Sequence, residues 1–211
     1  MIEKISAVKD PKLLEERLEN YRKLALAEGI TEAAVISTDQ IIIDERVRMK
    51  CRFPLCHEYG YCMNCPPHSG SLDEMRKTLS LFKYAIVLKL DVASERIIGK
   101  TAIGDEGVED LRKLCKIISK VESTAFYDGY YFATGFSSAS CHFIWCRGHE
   151  CQALAGKGCR LQAKAYASME SVGIDVYQLI ASLGWDIYPI GTTTTADSIP
   201  HASRCGLVLI D

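Results

Sequence analysis

The stretch YAIVLKLDV, residues 84–92, decides the fold. Its apolar run has the length of one strand and predicts a strand buried inside a sheet. Upstream, the capping-box pattern SLDE at residues 71–74 predicts a helix that runs to about Phe82. Downstream, residues 105–123 predict a second helix, because apolar residues recur on one stripe: Val108, Leu111, Cys115, Ile118 and Val121. A buried strand between two helices indicates a sheet covered by helices.

Other elements follow from the same kinds of pattern. Residues 12–28 predict an amphipathic helix that Asp10-Pro11 opens and Gly29 closes. We also expect a short hairpin of residues 33–37 with 40–44 and a charged strand at residues 45–52. Three later strands are expected at residues 130–136, 185–190 and 206–210, and a late helix at residues 174–183. Together they predict an α/β or α+β fold in which helices sandwich a mixed sheet. We expect a single domain over residues 1–211, with residues 1–48 forming an N-terminal helix-hairpin lobe.

The composition is that of an ordinary globular protein. Of the 211 residues 48% are hydrophobic, and 25 Lys and Arg against 27 Asp and Glu give a net charge of −2. This balanced charge gives no support for binding along nucleic acid. No apolar run approaches the roughly 18 residues of a membrane-spanning helix, and the charged N-terminus lacks the apolar stretch of a signal peptide. We therefore expect a cytoplasmic protein that contacts neither nucleic acid nor a membrane.

The ten cysteines are the most informative feature of the composition. Cytoplasmic thiols stay reduced, so clustered cysteines there bind metal more often than they form disulfides. Eight of the ten fall into two irregular segments, residues 51–70 and 137–165. The first group, C-x4-C-x5-C-x2-C-P-P, is Cys51, Cys56, Cys62 and Cys65, and the second, C-x4-C-x4-C-x7-C, is Cys141, Cys146, Cys151 and Cys159.

Four thiolates from one loop suit either a tetrahedral zinc ion or an iron–sulfur cluster. Structural zinc sites usually use paired short spacings, whereas here Cys62 and Cys65 alone have the x2 spacing. A cubane cluster holds its thiolates further apart, and the first group ends in Cys-Pro, as the bacterial ferredoxin run does. We therefore favour two [4Fe-4S] clusters as cofactors, with zinc as the alternative and disulfides as the third choice.

The remaining cysteines and the nearby histidines are interpreted as structural. Cys115 lies on the apolar stripe of the 105–123 helix, and Cys205 precedes the apolar run GLVLI. Buried free cysteine is common in proteins and is often inert. Four histidines in or beside the two groups are expected to hydrogen-bond locally, with the last of them the best substitute ligand: His57, His68, His142 and His149.

Cations alternate along the predicted strand 45–52, which places four of them on one face: Arg46, Arg48, Lys50 and Arg52. Such a face would raise the reduction potential of a nearby thiolate-bound metal centre, or it would dock an acidic partner. The alternative is a solvated edge strand whose charges protect it against aggregation. Another motif fails: Gly99-Lys100-Thr101 resembles the end of a phosphate-binding loop, but the upstream glycine is missing.

Two stretches resemble the signatures of a family of predicted metal-binding proteins, the domain of unknown function 2284. They are CHEYGYCMNCPPHSG, residues 56–70, and SMESVGIDVYQLIASLGWDI, residues 168–187, and the closing GLVLID also fits. The resemblance covers the chain from about Cys51 to the end. It implies cysteine-bound metal, iron–sulfur in kind, in archaea or anaerobic bacteria, and no established reaction. Cys56, Cys65 and the second group carry over most directly, whereas the position of Cys62 is less fixed in the family and the second group is wider than the family's compact form.

The function favoured by these observations is electron transfer to an unknown redox partner in anaerobic metabolism. One alternative is a zinc-stabilised binding or scaffold module without a redox role. A second is an enzyme that uses one iron–sulfur cluster as a Lewis acid, at an iron that lacks a cysteine. The colour of the purified protein separates the first two, since iron–sulfur proteins are brown and zinc proteins are colourless.

Overall fold

A computed structural model describes residues 4–6, 10–98 and 104–211, so the sequence Gly99-Lys100-Thr101 lies outside the described residues. The helices are α1 (Pro11–Ala27), α2 (Glu45–Met49), α3 (Leu72–Leu79), α4 (Asp105–Tyr127) and α5 (Val176–Ser182). The strands are β1 (Glu32–Ser37), β2 (Tyr84–Val92), β3 (Thr134–Phe136) and β4 (Ala202–Ile210). The chain therefore has the predicted α+β class.

The four strands form one sheet in the order β1-β2-β4-β3. β2 pairs with β1 from Tyr84 to Lys89 and with β4 along its whole length. The sheet is antiparallel and not the mixed sheet that the sequence predicts: every ladder among the described residues is antiparallel, and the parallel pairing is an isolated bridge between Ser137 and Ser168. The topology explains this difference. Helix α4 connects β2 to β3, which run parallel to each other, but β4 lies between them and pairs antiparallel with both.

The apolar strand β2 contributes to both halves of the core, since successive side chains point to opposite faces of a sheet. On one face, Ile86 and Leu88 pack with α1 and α4, and on the other, Ala85 and Val87 pack with α3 and α5. All four side chains are fully buried. The strand predicted at residues 84–92 is thus confirmed, together with its burial on both faces.

The long helices begin where the sequence predicts. The Asp10 carboxylate caps α1 by accepting a hydrogen bond from the Lys12 backbone N–H at 2.9 Å. Ser71 and Glu74 form both halves of the capping box of α3. The predicted apolar stripe of α4 is buried against the sheet. No helix within the described ranges is long and apolar enough to cross a membrane.

Three strand predictions are wrong in part or in full. Residues 40–44 form no hairpin with β1, because β1 pairs with the longer apolar strand β2, and Ile43 instead bridges Ile174. Residues 185–190 form no strand. The strand expected at residues 130–136 shortens to Thr134–Phe136, where it reaches β4.

The charged strand at residues 45–52 is also wrong, since this segment contains the short helix α2 and then turns. The Asp44 carboxylate caps the helix by accepting from the Arg46 N–H at 2.7 Å, and it also binds the Arg46 side chain. Arg48 instead donates to the Gly70 carbonyl at 2.9 Å. The four cations therefore do not share one strand face, and the interpretations that depended on that face lose their basis.

Helix α4 packs closely on the sheet at Gly206 of β4. A Cβ at this position would lie 2.7 Å from Ile118 Cδ1 and 3.2 Å from the Phe136 carbonyl oxygen. We predict that Gly206→Ala lowers the free energy of unfolding by about 1–3 kcal/mol through overpacking. The cost should fall in an Ile118→Val background, because valine lacks the clashing Cδ1 atom.

Urea unfolding of the two single variants and the double variant measures this coupling. Gly191→Ala is the matched control, because nothing lies within 4 Å of its added Cβ. Equal costs of Gly206→Ala in both backgrounds would show that the contact with Ile118 is not what requires glycine.

Candidate metal centre

The first cysteine loop, residues 50–70, joins α2 to α3 and consists of turns, as its composition predicts. Backbone hydrogen bonds fold it back on itself: Cys56 N–H donates to Cys51 O at 3.0 Å, and Gly60 N–H donates to Pro66 O at 2.8 Å. Several of its large apolar side chains are more than 40% exposed, which leaves the loop little core of its own: Phe53, Leu55, Tyr61 and Met63.

The thiols of Cys51, Cys56 and Cys65 line one cavity of about 290 Å³, the first-loop cavity. Its other walls come from residues 139–143 of the second loop and from residues 168–171. The volume is roughly ten times the share of one water molecule in the liquid. The space therefore exceeds what a single ion fills.

The second cysteine loop, residues 137–165, begins with a wide helical turn over His142–Cys146 that buries Ile144. Four of its thiols line a narrow space of about 20 Å³ together with Cys62 of the first loop. We call this space the second-loop cavity; its loop thiols are Cys141, Cys146, Cys151 and Cys159. Its volume is roughly that of one water molecule or of one small chemical group.

Cys62 joins the two cavities. It is 1% exposed, and hydrogen bonds from the thiols of Cys141 and Cys65 lower the pKa of Cys62 far below its ordinary value. The same contacts, together with burial, raise the pKa of Cys65 and of Cys141. The two thiol donors therefore favour the thiolate form of Cys62, which is the form of cysteine that binds metal.

A buried polar network beside Cys62 fastens the loops to each other. The Ser140 hydroxyl, 3.5 Å from the Cys62 sulfur, donates to Glu58 Oε2 at 3.0 Å. Glu58 Oε2 also lies 3.0 Å from His142 Nδ1. His142 Nε2 donates to the His149 carbonyl at 2.9 Å, because a carbonyl oxygen only accepts. No sequence pattern points to Glu58 or Ser140, since the hydrogen-bonded partners lie more than 80 positions apart.

A further cross-link comes from Asn64 in the first loop. Its side-chain amide donates to the Ala165 carbonyl at 2.6 Å and lies 3.6 Å from the Cys141 sulfur. Both contacts reach the second loop, so Asn64 also holds the two cysteine loops together.

Residues 167–175, which we call the bridging segment, bring the two loops to one place. Backbone hydrogen bonds of 2.9 Å tie it to residues 42–44, just before the first loop, and to Ser137, where the second loop starts. The Ser69 hydroxyl at the end of the first loop also donates to the Ser171 carbonyl at 2.9 Å. Gly173 has φ 84°, and an added Cβ would lie 2.6 Å from Leu72 Cδ2, so this turn requires glycine.

All eight predicted ligands thus line two neighbouring cavities, but the structure divides them differently from the sequence. Cys62 lies on the wall of the second-loop cavity and contacts Cys65 across the boundary. Among residues 4–6, 10–98 and 104–211, no group of three or more Cys, His, Asp or Glu side chains converges on one metal-ion position. The eight cysteines in these walls are nonetheless a donor set that suits a thiolate-bound group.

The cysteines interpreted as structural lie away from both cavities. Cys115 is 1% exposed on α4, and its sulfur lies 3.2 Å from the Ser137 hydroxyl. Burial raises the pKa of Cys115, and it raises the pKa of Cys205 on β4 to about 12. Both thiols are therefore protonated at neutral pH, as expected for core residues. His142 hydrogen-bonds the nearby His149 carbonyl but also Glu58, 84 positions away, and His149 is exposed.

We predict that Glu58→Ala lowers the free energy of unfolding by about 1–3 kcal/mol, because it leaves Ser140 and His142 buried without their acceptor. Urea unfolding measures the loss, and limited proteolysis should cut the first loop faster. Glu150→Ala is the matched control, since this glutamate lies in the second loop but is exposed. Equal stability of the two variants would mean that Glu58 does not fasten the loops.

No curated protein and no solved structure matches the chain. The family described as predicted metal-binding protein (DUF2284) matches residues 34–210, which includes both cysteine loops and the bridging segment. The chain therefore belongs to this family of predicted metal-binding proteins.

Proposed function

We propose that the protein binds two [4Fe-4S] clusters through its eight loop cysteines and transfers electrons to a redox partner. The observation that carries this proposal is that the eight loop cysteines line two neighbouring cavities, with Cys62 on the wall of the second-loop cavity and beside Cys65 of the first. Two centres whose ligands touch are close enough to exchange electrons inside one chain. Iron–sulfur clusters supply one-electron chemistry when bound.

The proposed ligands follow the cavity walls. Cys141, Cys146, Cys151 and Cys159 bind the second cluster, and Cys51, Cys56 and Cys65 bind the first. Cys62, at the boundary, completes the first set through its contact with Cys65. The volume of the first-loop cavity, about 290 Å³, leaves room for a group of several atoms there. The second-loop cavity, about 20 Å³, holds such a group only if its thiols move apart on binding.

Cations near the second-loop cavity support a role with a charged partner. The Arg147 guanidinium lies 4.2 Å from the centre of the Phe143 ring, and Arg112 and Lys164 both lie 5.5 Å from the Trp145 ring. A thiolate-bound centre is a net anion, which these cations partly offset. They also present positive charge on the surface, where an acidic redox partner would be steered toward the second cluster.

One observation favours a second candidate function, an enzyme that uses the first cluster as a Lewis acid. A larger cavity of about 630 Å³ shares three wall residues with the first-loop cavity, namely Cys51, Cys56 and Glu170. A small molecule in that cavity would lie beside the proposed ligands of the first cluster.

Anaerobic purification with iron and acid-labile sulfide analysis tests the proposal. We expect a brown protein with about eight iron and eight sulfide per chain. A Cys62→Ser variant should lose part of this iron, whereas Cys115→Ser, the matched control, should keep it and lose only stability. A colourless protein that contains zinc would contradict the proposal, and iron loss from Cys115→Ser would contradict the ligand assignment.

Removal of metal should release the first loop, because its exposed apolar residues leave metal to supply the free energy of ordering. We predict that chelation or loss of cluster sharply increases proteolysis between residues 52 and 71. Cleavage within α4, which is packed in the core, is the internal control. Unchanged protection of the first loop after verified metal removal would show that the loop folds without metal.

A further inference from the structure

The walls of the two cysteine-lined cavities carry charges of opposite sign. The first-loop cavity is lined by two carboxylates, Glu58 and Glu170, and by no lysine or arginine among the described residues. Lys50 and Arg52, the cations of the first loop, lie outside that wall. The second-loop cavity is lined by Arg160 and by no aspartate or glutamate within the same described ranges. Metal groups in the two cavities would therefore meet different electrostatic surroundings.

Glu170, in the bridging segment, acts on the thiol of Cys51 across the first-loop cavity. Burial and the Cys56 thiol raise the pKa of Cys51, and the charge of Glu170 raises it further. Arg48 opposes this rise, but its effect on Cys51 is smaller than that of Glu170. On balance, the charged side chains around Cys51 disfavour further negative charge there.

The carboxylate of Glu170 has no cation in direct contact. It forms no ion pair in the described part of the chain. Burial raises the pKa of Glu170, whereas a backbone hydrogen bond, the Ser168 hydroxyl and the charge of Arg204 favour its ionised form. Replacing Glu170 by glutamine therefore changes the charge beside Cys51 without breaking an ion pair.

Glu58 supplies the second carboxylate of the first-loop cavity. Contact with Cys62 and burial raise the pKa of Cys65, and the charge of Glu58 adds to that rise. The hydrogen bonds with Ser140 and His142 hold the Glu58 carboxylate in place. An electron added in this cavity would thus be repelled by two carboxylates.

The second-loop cavity has cationic surroundings. Arg160 lines it, and Arg112 and Lys164 lie 5.5 Å from the centre of the ring of Trp145, another residue of its wall. The second loop contains one acid, Glu150, and four exposed cations: Arg147, Lys157, Arg160 and Lys164. An electron added in this cavity would be attracted by the charges around it.

We propose, on the basis of the proposed function, that Glu58 and Glu170 keep the first cluster at a lower reduction potential than the second cluster, whose surrounding cations raise its potential. Nearby negative charge favours the oxidised form of an iron–sulfur cluster, and positive charge favours the reduced form. One electron then passes from the reduced first cluster, which is oxidised, to the oxidised second cluster, which is reduced, and no bond or proton is transferred. A one-electron donor supplies the electron at the first loop, and an acidic one-electron carrier protein accepts it at the cationic second loop.

A redox titration of the anaerobically purified protein, followed by electron paramagnetic resonance, measures the two midpoint potentials. Cys56→Ser and Cys146→Ser assign the signals, because each removes a thiol from the wall of one cavity. We expect the signal that changes in Cys56→Ser to have the lower midpoint potential. The reverse order in a protein with full iron and sulfide content would overturn the proposal.

Two variants test the cause of the difference in potential. At a fixed potential, Glu170→Gln should raise the ratio of reduced to oxidised first cluster about tenfold, which is about 59 mV for one electron. Arg160→Gln should lower the same ratio for the second cluster about threefold, the smaller effect because Arg160 is exposed. Glu15→Gln and Lys77→Gln are the matched controls, since both residues are exposed and line neither cavity. An unchanged midpoint of the first cluster in Glu170→Gln, or of the second in Arg160→Gln, would overturn the proposal.

Ferricyanide, an anionic one-electron acceptor, tests where the electron leaves. Its oxidation of the reduced protein should be about threefold slower in a Lys157→Gln/Lys164→Gln double variant at low salt, and the difference should vanish at high salt. Equal rates at low salt would overturn the assignment of the second loop as the exit.

Iron and sulfide analysis of the same samples separates this test from that of the proposed function. About eight iron per chain with reversed or unaltered potentials would contradict the direction of electron flow and leave the proposed function standing. A colourless protein without iron or sulfide would contradict the proposed function, and with it the direction of flow.

Discussion

The contact of Cys62 with Cys65 and Cys141 is the constraint on which the functional part of the structure depends. Cys62 is buried, and the thiols of Cys65 and Cys141 beside it favour its thiolate form. A buried charge is costly unless it is paired or bound to metal. The hydrogen bonds of Glu58 and Asn64 join the two loops but supply no positive charge beside Cys62.

The sheet and helices act as a rigid support for this meeting point. The cysteine loops leave the scaffold at Asp44 and at Ser137, and the bridging segment binds both positions through backbone hydrogen bonds. Loops separated by about 70 residues are thereby placed side by side. This also explains why the stretch SMESVGIDV, which holds no loop cysteine, accompanies the cysteine loops in the sequence.

Much of the scaffold could be predicted from local patterns. The burial of β2, the capping box at Ser71 and the apolar stripe of α4 are properties of short segments, and each is confirmed. The failures have non-local causes. Residues 45–52 alternate in charge as a strand would, but the Asp44 cap starts a helix there. Residues 33–37 pair with β2, about 50 positions away, and not with the segment beside them.

The candidate site could likewise be predicted only where its signal is local in the sequence. The sequence could identify the eight loop cysteines, because their clustering in irregular segments is visible without a fold. It could not show that Cys62 crosses to the second loop, nor that Glu58, Ser140 and His142 meet, because these contacts span about 80 positions. The cavity of about 630 Å³ beside the first-loop cavity could not be predicted either, because its walls come from six separate parts of the chain.

The central claim is that two metal centres lie close together across Cys62. Electron paramagnetic resonance of the anaerobically purified and fully reduced protein tests it most directly, because the unpaired spins of neighbouring clusters interact. We expect the fully reduced protein to give a broadened spectrum from two interacting clusters, and the partly reduced protein to give a single simple signal. A fully reduced spectrum equal to the sum of two independent signals, or no iron–sulfur signal at all, would contradict it.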